Sequence, residues 1–155
     1  MVDLYFKACL ENHGNYDAVL AMAKASGFEE IDLSHVPKRM EGWERRARKD
    51  VAWKINDFVL YVAPGAFPGS TQPPADVCSI QAFDLDRSKI VGRLKENRRL
   101  TDMGTGKTGG NLLIVDLATP NAAQVMVMDL KPRSQEIGNG HHRVVLIEHY
   151  QQPGT

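Results

Sequence analysis

The chain has 155 residues, 43% hydrophobic and 25% charged, and its 19 basic side chains cancel its 19 acidic ones. Such a length suits a single domain spanning 1–155 with a core of its own, and the composition excludes a disordered segment. A neutral balance also lacks the strong cationic footprint of a committed nucleic-acid binder.

The charge is uneven along the chain. Residues 1–36 carry two basic and six acidic side chains, residues 37–109 fourteen and nine, and the last 46 residues three and four. No apolar run reaches the roughly 20 residues needed to cross a bilayer, so no membrane span is expected. The opening MVDLYFKACLENHG shows no basic region followed by an apolar one. It therefore reads as the start of a cytoplasmic chain, and a periplasmic location would need a leader removed upstream of it.

The first predicted element is a short helix over 3–11, where Leu4, Tyr5, Ala8 and Cys9 share one stripe. Asn12-His13-Gly14 breaks it. Asn15 then has the side chain of an N-cap, and Asp17 lies in the first turn near the positive helix end. Tyr16, Val19, Leu20 and Ala23 recur at helical spacing up to Gly27, which suits the left-handed position after a helix C-terminus.

The segment PKRMEGWERRARKD (37–50) is basic and amphiphilic, but Gly42 weakens its helicity. DVAWKINDFVLYVAP (50–64) is rich in β-formers and predicts a bent strand or a hairpin turning at Asn56-Asp57. A Pro- and Gly-rich surface loop follows (65–74), and then a strand over 76–85. A surface helix over 86–99 turns Ile90, Val91 and Leu94 inward, with Leu100 after it. Strands are predicted at 111–118, 123–131 and 142–151, the first two joined through the turn 119–122.

Helices and strands do not alternate strictly, which argues against a doubly wound parallel sheet. The expected fold is α+β. It has an antiparallel sheet of about five strands, with the N-terminal helices and one inserted helix (order ααββαβββ) on one face.

TDMGTGKTGG (101–110) contains the triplet Gly106-Lys107-Thr108, which resembles part of a phosphate-binding loop. The full pattern needs glycine five positions before Gly106, where this chain has Thr101. It also needs a strand before it and a helix after it, and the predicted order is the reverse. What survives is an anion-binding nest formed by Gly104, Thr105, Gly106, Lys107 and Thr108. A plain turn with a solvated lysine competes with that reading.

No G-x-S-x-G turn offers a nucleophile, so no catalytic residue is assigned. Asp84, Asp116 and Asp129 end predicted strands and would form a carboxylate set only if the fold brought them to one edge. His13, His35, His141, His142 and His149 are expected at surfaces or turns, and no metal or cofactor is implied. Cys9 and Cys78 have no CxxC neighbour, and a disulfide or two buried thiols fit them equally well.

The cationic residues offer a surface for a partner: Arg45, Arg46, Arg48 and Lys49 near Trp43 and Trp53, and Arg93, Arg98 and Arg99 in and after the 86–99 helix. Arginine beside tryptophan suits single-stranded nucleic acid, and equally an acidic protein partner or self-association, while the interleaved Glu41, Glu44, Asp50 and Glu96 also fit a plain solvated face.

The pattern aromatic-x-x-Cys followed by Gly14-Asn15-x-x-Ala18-x-x-x-Met22-Ala23-x-x-x-Gly27-Phe28, with VCSIQAFDLDRSKIVGRL further on, resembles small, often exported proteins of alphaproteobacteria that carry no known activity. The resemblance implies a helical cysteine and a strand cysteine in an exported chain. The expected function is a small non-catalytic domain that binds a macromolecular partner. The alternatives are an enzyme or binding protein for a small anion at 104–110, and nucleic-acid binding through the basic faces.

Overall fold

The computed structural model describes residues 1–32, 50–64, 76–106, 109–118, 122–130 and 144–151. The described residues form an α+β fold with three helices and one antiparallel sheet of eight strands. α1 (Val2–Tyr5) runs into a π-helical turn (Phe6–Leu10), and α2 (Tyr16–Ala25) follows. The strands β1 (Glu29–Glu30), β2 (Val51–Ile55), β3 (Phe58–Ala63) and β4 (Asp76–Phe83) come next. After α3 (Arg87–Lys95), the chain adds β5 (Leu100–Thr105), β6 (Asn111–Val115), β7 (Ala123–Leu130) and β8 (Val144–Gln151).

In space the order is β1-β2-β3-β4-β8-β7-β6-β5. Two four-stranded meanders therefore join side by side through β4 and β8, whose ladder runs from Asp76↔Gln151 to Phe83↔Val144. The expectation of about five strands in the order ααββαβββ is corrected at three places. The 50–64 stretch, where a bent strand and a hairpin were both expected, is the hairpin and so counts as two strands, its turn made by Asn56 at φ 53°. The acidic pair Glu29–Glu30 adds a strand on β2. Leu100–Thr105, expected as a link, pairs with β6 and ends the sheet.

Local chemistry sets the helix ends. Asn15 Oδ1 accepts from the Ala18 amide at 3.0 Å, and Asp76 of β4 accepts from the Tyr16 amide at 2.9 Å. Two donors at the α2 N-terminus are thus satisfied, one of them by the sheet. At α3, Asp86 accepts from the Ser88 amide at 2.9 Å and from its hydroxyl at 2.6 Å.

Side chains alternate across a strand, so register assigns each residue to a face. Trp53, Leu60, Val62, Cys78, Ile80, Ile147, Val125, Val127, Leu113 and Val115 fall on one face, and all belong to one buried cluster. The helices complete that cluster with Tyr5, Ala8, Cys9, Val19, Ala23, Ile90, Val91 and Leu94. The helices therefore pack on one face, as the patterning predicted. Cys9 and Cys78 form a disulfide with their Cα atoms 5.6 Å apart. It ties the π-helical turn to β4 inside this core.

The opposite face is mixed, with Lys54, Ser79, Gln81, Gln124 and Glu148 among apolar neighbours. Ala52, Ala63, Val77 and Leu146 are buried there, while Leu112, Ile114, Met126 and Met128 are partly exposed. Strands that are apolar on both sides lose the alternating signature of a half-solvated antiparallel sheet. β5 manages its open edge by local capping. The Leu100 amide donates to Asn97 O at 3.0 Å, the Gly104 amide to Asp102 Oδ1 at 2.9 Å, and the ladder bulges between Asp102 and Thr105. Such devices suppress edge-to-edge pairing with other chains.

No helix among the described residues is long and apolar enough to cross a membrane.

Candidate functional site

The two regions singled out from the sequence lie at opposite ends of β5, about 20 Å apart for six residues of strand. At one end Gly104, Thr105 and Gly106 lead into the tip of the β5–β6 hairpin. Lys107 and Thr108 lie outside the described residues. The Gly104 amide goes to Asp102, the Gly106 amide to Gly110 O at 2.7 Å, and the Gly109 amide to Gly106 O at 3.0 Å. A nest binds an anion through unspent amides pointing one way, and these three are spent within the hairpin. Arg87 also reaches the tip, donating from Nη1 to Gly109 O at 2.9 Å.

The other end is built where α3 runs out into β5. Asn97 caps this exit, its Oδ1 accepting from the Arg99 amide at 3.0 Å. The strand geometry starts one residue early, because the Asp116 amide donates to Arg99 O at 2.8 Å. That pairing places the two side chains across from each other. Arg99 Nε contacts both carboxylate oxygens of Asp116 (3.0 and 3.1 Å), and Nη2 contacts Oδ2 at 2.5 Å. Asp116 sits at φ 49°, a left-handed conformation that aspartate tolerates better than most residues.

Around this pair lies a shallow groove of about 470 Å³ lined by Arg98, Arg99, Thr101, Asp116, Leu117 and Ala118. Leu117 is 53% exposed, one of two large apolar side chains so exposed among the described residues; Met103 of β5 is the other. Behind the groove, Tyr5 is fully buried and its hydroxyl bonds His149 Nδ1 at 3.0 Å. Burial pushes the Tyr5 phenol far above its ordinary value, and the Arg99 charge opposes that rise.

The expectation of surface or turn histidines is corrected at His149, which is 1% exposed on the helix-covered face of β8. His13 is exposed in a turn, as expected. His35, His141 and His142 lie outside the described residues.

The strand-end aspartates do not converge. By register, Asp84 and Asp129 share one end of the sheet, and Asp116 lies at the other. The cationic surface of α3 is mostly neutralised within the fold. Arg93 pairs with Asp3 at 2.7 Å, Lys95 with Asp102 at 2.6 Å, Arg87 with Asp129 at 3.5 Å and Arg99 with Asp116. Of the proposed partner residues here, Arg98 alone is exposed with no ion-pair partner among the described residues. Arg45, Arg46, Arg48 and Lys49 lie outside them.

Sequence reasoning missed Leu117, Thr101 and Ala118 as groove residues, although Asp116-Leu117 was visible as a strand end. The signal was weak because the groove exists only once β5 pairs with β6.

The Arg99 hydrogen bonds hold the Asp116 carboxyl below the usual carboxylate range. A folded-state value below the unfolded one contributes stability above the unfolded value, near pH 4, and loses it as pH falls through the folded value. Asp116→Asn is expected to lower stability near neutrality by about 0.5–1 kcal/mol, as for a partly exposed ion pair. The gap from the parent chain should narrow as pH falls below about 4 and through the lowered folded-state value. Urea unfolding from pH 2.5 to 7 measures this, and a gap that is constant across the range would mean that the pair contributes no charge-dependent stability.

Comparison with protein-family profiles, curated proteins and solved structures finds no match to this chain.

Proposed function

We propose that this chain is a non-catalytic binding domain that engages an acidic segment of a protein partner at the Arg98–Leu117 groove. The observation that carries the reading is the contrast along α3 and its exit. Four of the six cations there are engaged in ion pairs, Lys89 and Arg98 are exposed without one among the described residues, and of these two only Arg98 lines the groove with the exposed Leu117. An uncompensated guanidinium next to apolar surface offers a carboxylate both charge and a fork of donors. The Arg99–Asp116 pair stiffens the groove floor, so little ordering is needed on binding. The Cys9–Cys78 disulfide suits an oxidising compartment, in keeping with the exported proteins that the cysteine pattern resembles.

The test uses a fluorescein-labelled peptide of alternating Glu and Leu, read by fluorescence anisotropy. Arg98→Glu is expected to weaken binding at least tenfold, about 1.4 kcal/mol. Arg93→Ala, which removes a paired cation, should leave it within about twofold. Equal affinity for the parent and Arg98→Glu would sink the groove. Preferential binding of single-stranded DNA with a steep salt slope would replace this reading with the nucleic-acid one.

A further inference from the structure

His149 is a titratable ring sealed into the core by the N-terminal segment. It is 1% exposed on the helix-covered face of β8. Cys78 of β4 and Val125 of β7 flank it in register, and Cys78 carries the disulfide. On the helix side, the Tyr5 hydroxyl bonds Nδ1 at 3.0 Å. Gly14 covers the other side of the ring so closely that a Cβ there would lie 2.5 Å from Cδ2 and 3.0 Å from Nε2. The floor of this enclosure is held by the β4–β8 and β7–β8 ladders. Its lid is Val2–Leu10 with the His13-Gly14 turn, a segment too short to stay helical without tertiary contacts. Water therefore reaches the ring by displacing the lid, not the sheet.

The enclosure favours a neutral ring. Burial penalises an imidazolium, and Tyr5, Gly14, Val125 and the disulfide-bonded Cys78 carry no charge. Charges further out do not reverse that balance. Arg99 acts on Tyr5 with a positive charge and pairs with Asp116, Asp3 of α1 pairs with Arg93 at the surface, and His13 is exposed. Asp76, two residues from Cys78 on the same face of β4, accepts from the Tyr16 amide, so the positive end of α2 answers its charge. Glu148 and Tyr150 precede and follow the ring on β8 and point to the opposite face. With the lid open, the ring meets water and takes a proton near the ordinary histidine value of about 6.5. The open state then binds more protons than the closed one, so closure is fully stable above that value and weakens as pH falls below it.

We infer that the N-terminal segment is an acid-sensitive flap, closed over neutral His149 near neutrality and opened in mild acid by protonation of that ring. Cys9 lies between Tyr5 and Gly14 in the chain, so the disulfide keeps the opened flap tethered to β4 and lets it close again when the pH rises. Opening parts Tyr5 from the ring, breaks the Arg93–Asp3 pair and uncovers the core face of β4, β7 and β8 around His149. The sheet itself stays intact, because its ladders do not depend on the flap. The device is independent of the groove at Arg98 and Leu117.

The experiment is amide hydrogen exchange of the oxidised chain by NMR from pH 7 to 5, with rates corrected for the pH dependence of free amides. The reporters are the Tyr5, Glu11 and Gly14 amides, which donate to Met1 O, Phe6 O and Cys9 O. Uptake of one proton per opening, from an open-state value of about 6.5, lowers their protection roughly eightfold between pH 6 and pH 5. Amides of the β4–β8 ladder should keep theirs. His149→Gln, which leaves a hydrogen-bonding side chain that does not titrate, should abolish the pH dependence at the three reporters. In the parent chain, the His149 ring signal should report proton uptake together with the loss of protection, a readout that stands even where the variant does not fold. A ring that takes its proton while the three amides stay protected would overturn the flap. So would protection that does not change with pH, a pH dependence that persists in His149→Gln, or a loss shared equally by the β4–β8 ladder.

Discussion

A Cys9→Ala/Cys78→Ala chain is expected to lose about 4 kcal/mol of stability, the largest single loss that the structure predicts for one covalent contact. The two cysteines are 69 residues apart in sequence. The chain-entropy relation for closing a loop of that length gives about 4 kcal/mol at 25 °C. For a domain of this size, that corresponds to a fall in Tm of roughly 8–16 °C. The location amplifies the effect. α1 and the π-helical turn together cover only Val2–Leu10, too short to hold a helix without tertiary contacts. Their anchor is burial of Tyr5, Ala8 and Cys9 against β4 and its neighbours, and the disulfide holds that burial in register.

The measurement is thermal and urea unfolding of the double variant against the parent, with reduced parent as a second comparison. A loss under about 1 kcal/mol would show that the N-terminal segment docks without the covalent link. A loss confined to probes near residues 1–25, with the sheet melting unchanged, would show instead that the helical segment is a separate cooperative unit.

How much of this was legible in the sequence depends on which interactions form each element. α2 was readable because its signals are local: the Asn15 cap, the Val19–Ala23 stripe and the Gly27 stop all act within the helix. The 51–63 hairpin was readable for the same reason, through Asn56-Asp57 between two β-rich runs. β5 was not. Of Leu100–Thr105 only Leu100 is buried, so no alternation marks the strand, and it is a strand because β6 offers it a ladder. β1 is two glutamates, which have no preference for strand on their own.

The site was legible in part. The sequence marked Arg98 and Arg99 as cations but could not tell that Asp116 neutralises one and leaves the other. That distinction depends on a contact across 17 residues. The outer side of β6 and β7 was hidden differently. NLLIV and VMVM are apolar without a break, and such runs show no period to separate the face in the core from the face beside it. His149 lay among polar residues near the chain end, and nothing local said that Tyr5 and Gly14 would close over it.

Gly14→Ala is the second large effect, and its cause is the same closure. Gly14 lies at φ 64°, directly after His13 at φ 54°; these two left-handed residues turn the chain from the π-helical turn into α2. The Gly14 amide donates to Cys9 O at 2.7 Å, so the turn is fixed to the residue that carries the disulfide. A Cβ at this position would lie 2.5 Å from His149 Cδ2 and 3.0 Å from Nε2. The left-handed backbone alone costs an alanine about 1–2 kcal/mol. The overlap must then be relieved by moving either the ring or the turn. The ring is held by the Tyr5 hydroxyl and by burial in the core, and the turn by the Cys9 carbonyl and the disulfide next to it. Overpacking where neither side yields costs a further 1–3 kcal/mol. The expected total is therefore about 2–5 kcal/mol. Gly27→Ala is the internal control. Gly27 also has positive φ, at 65°, but a Cβ there meets nothing within 4 Å. It should cost only the backbone share, about 1–2 kcal/mol. The difference between the two variants in urea unfolding isolates the His149 contact. Equal losses would mean that the ring shifts freely, and that the Tyr5–His149 closure does not hold the N-terminal turn in place.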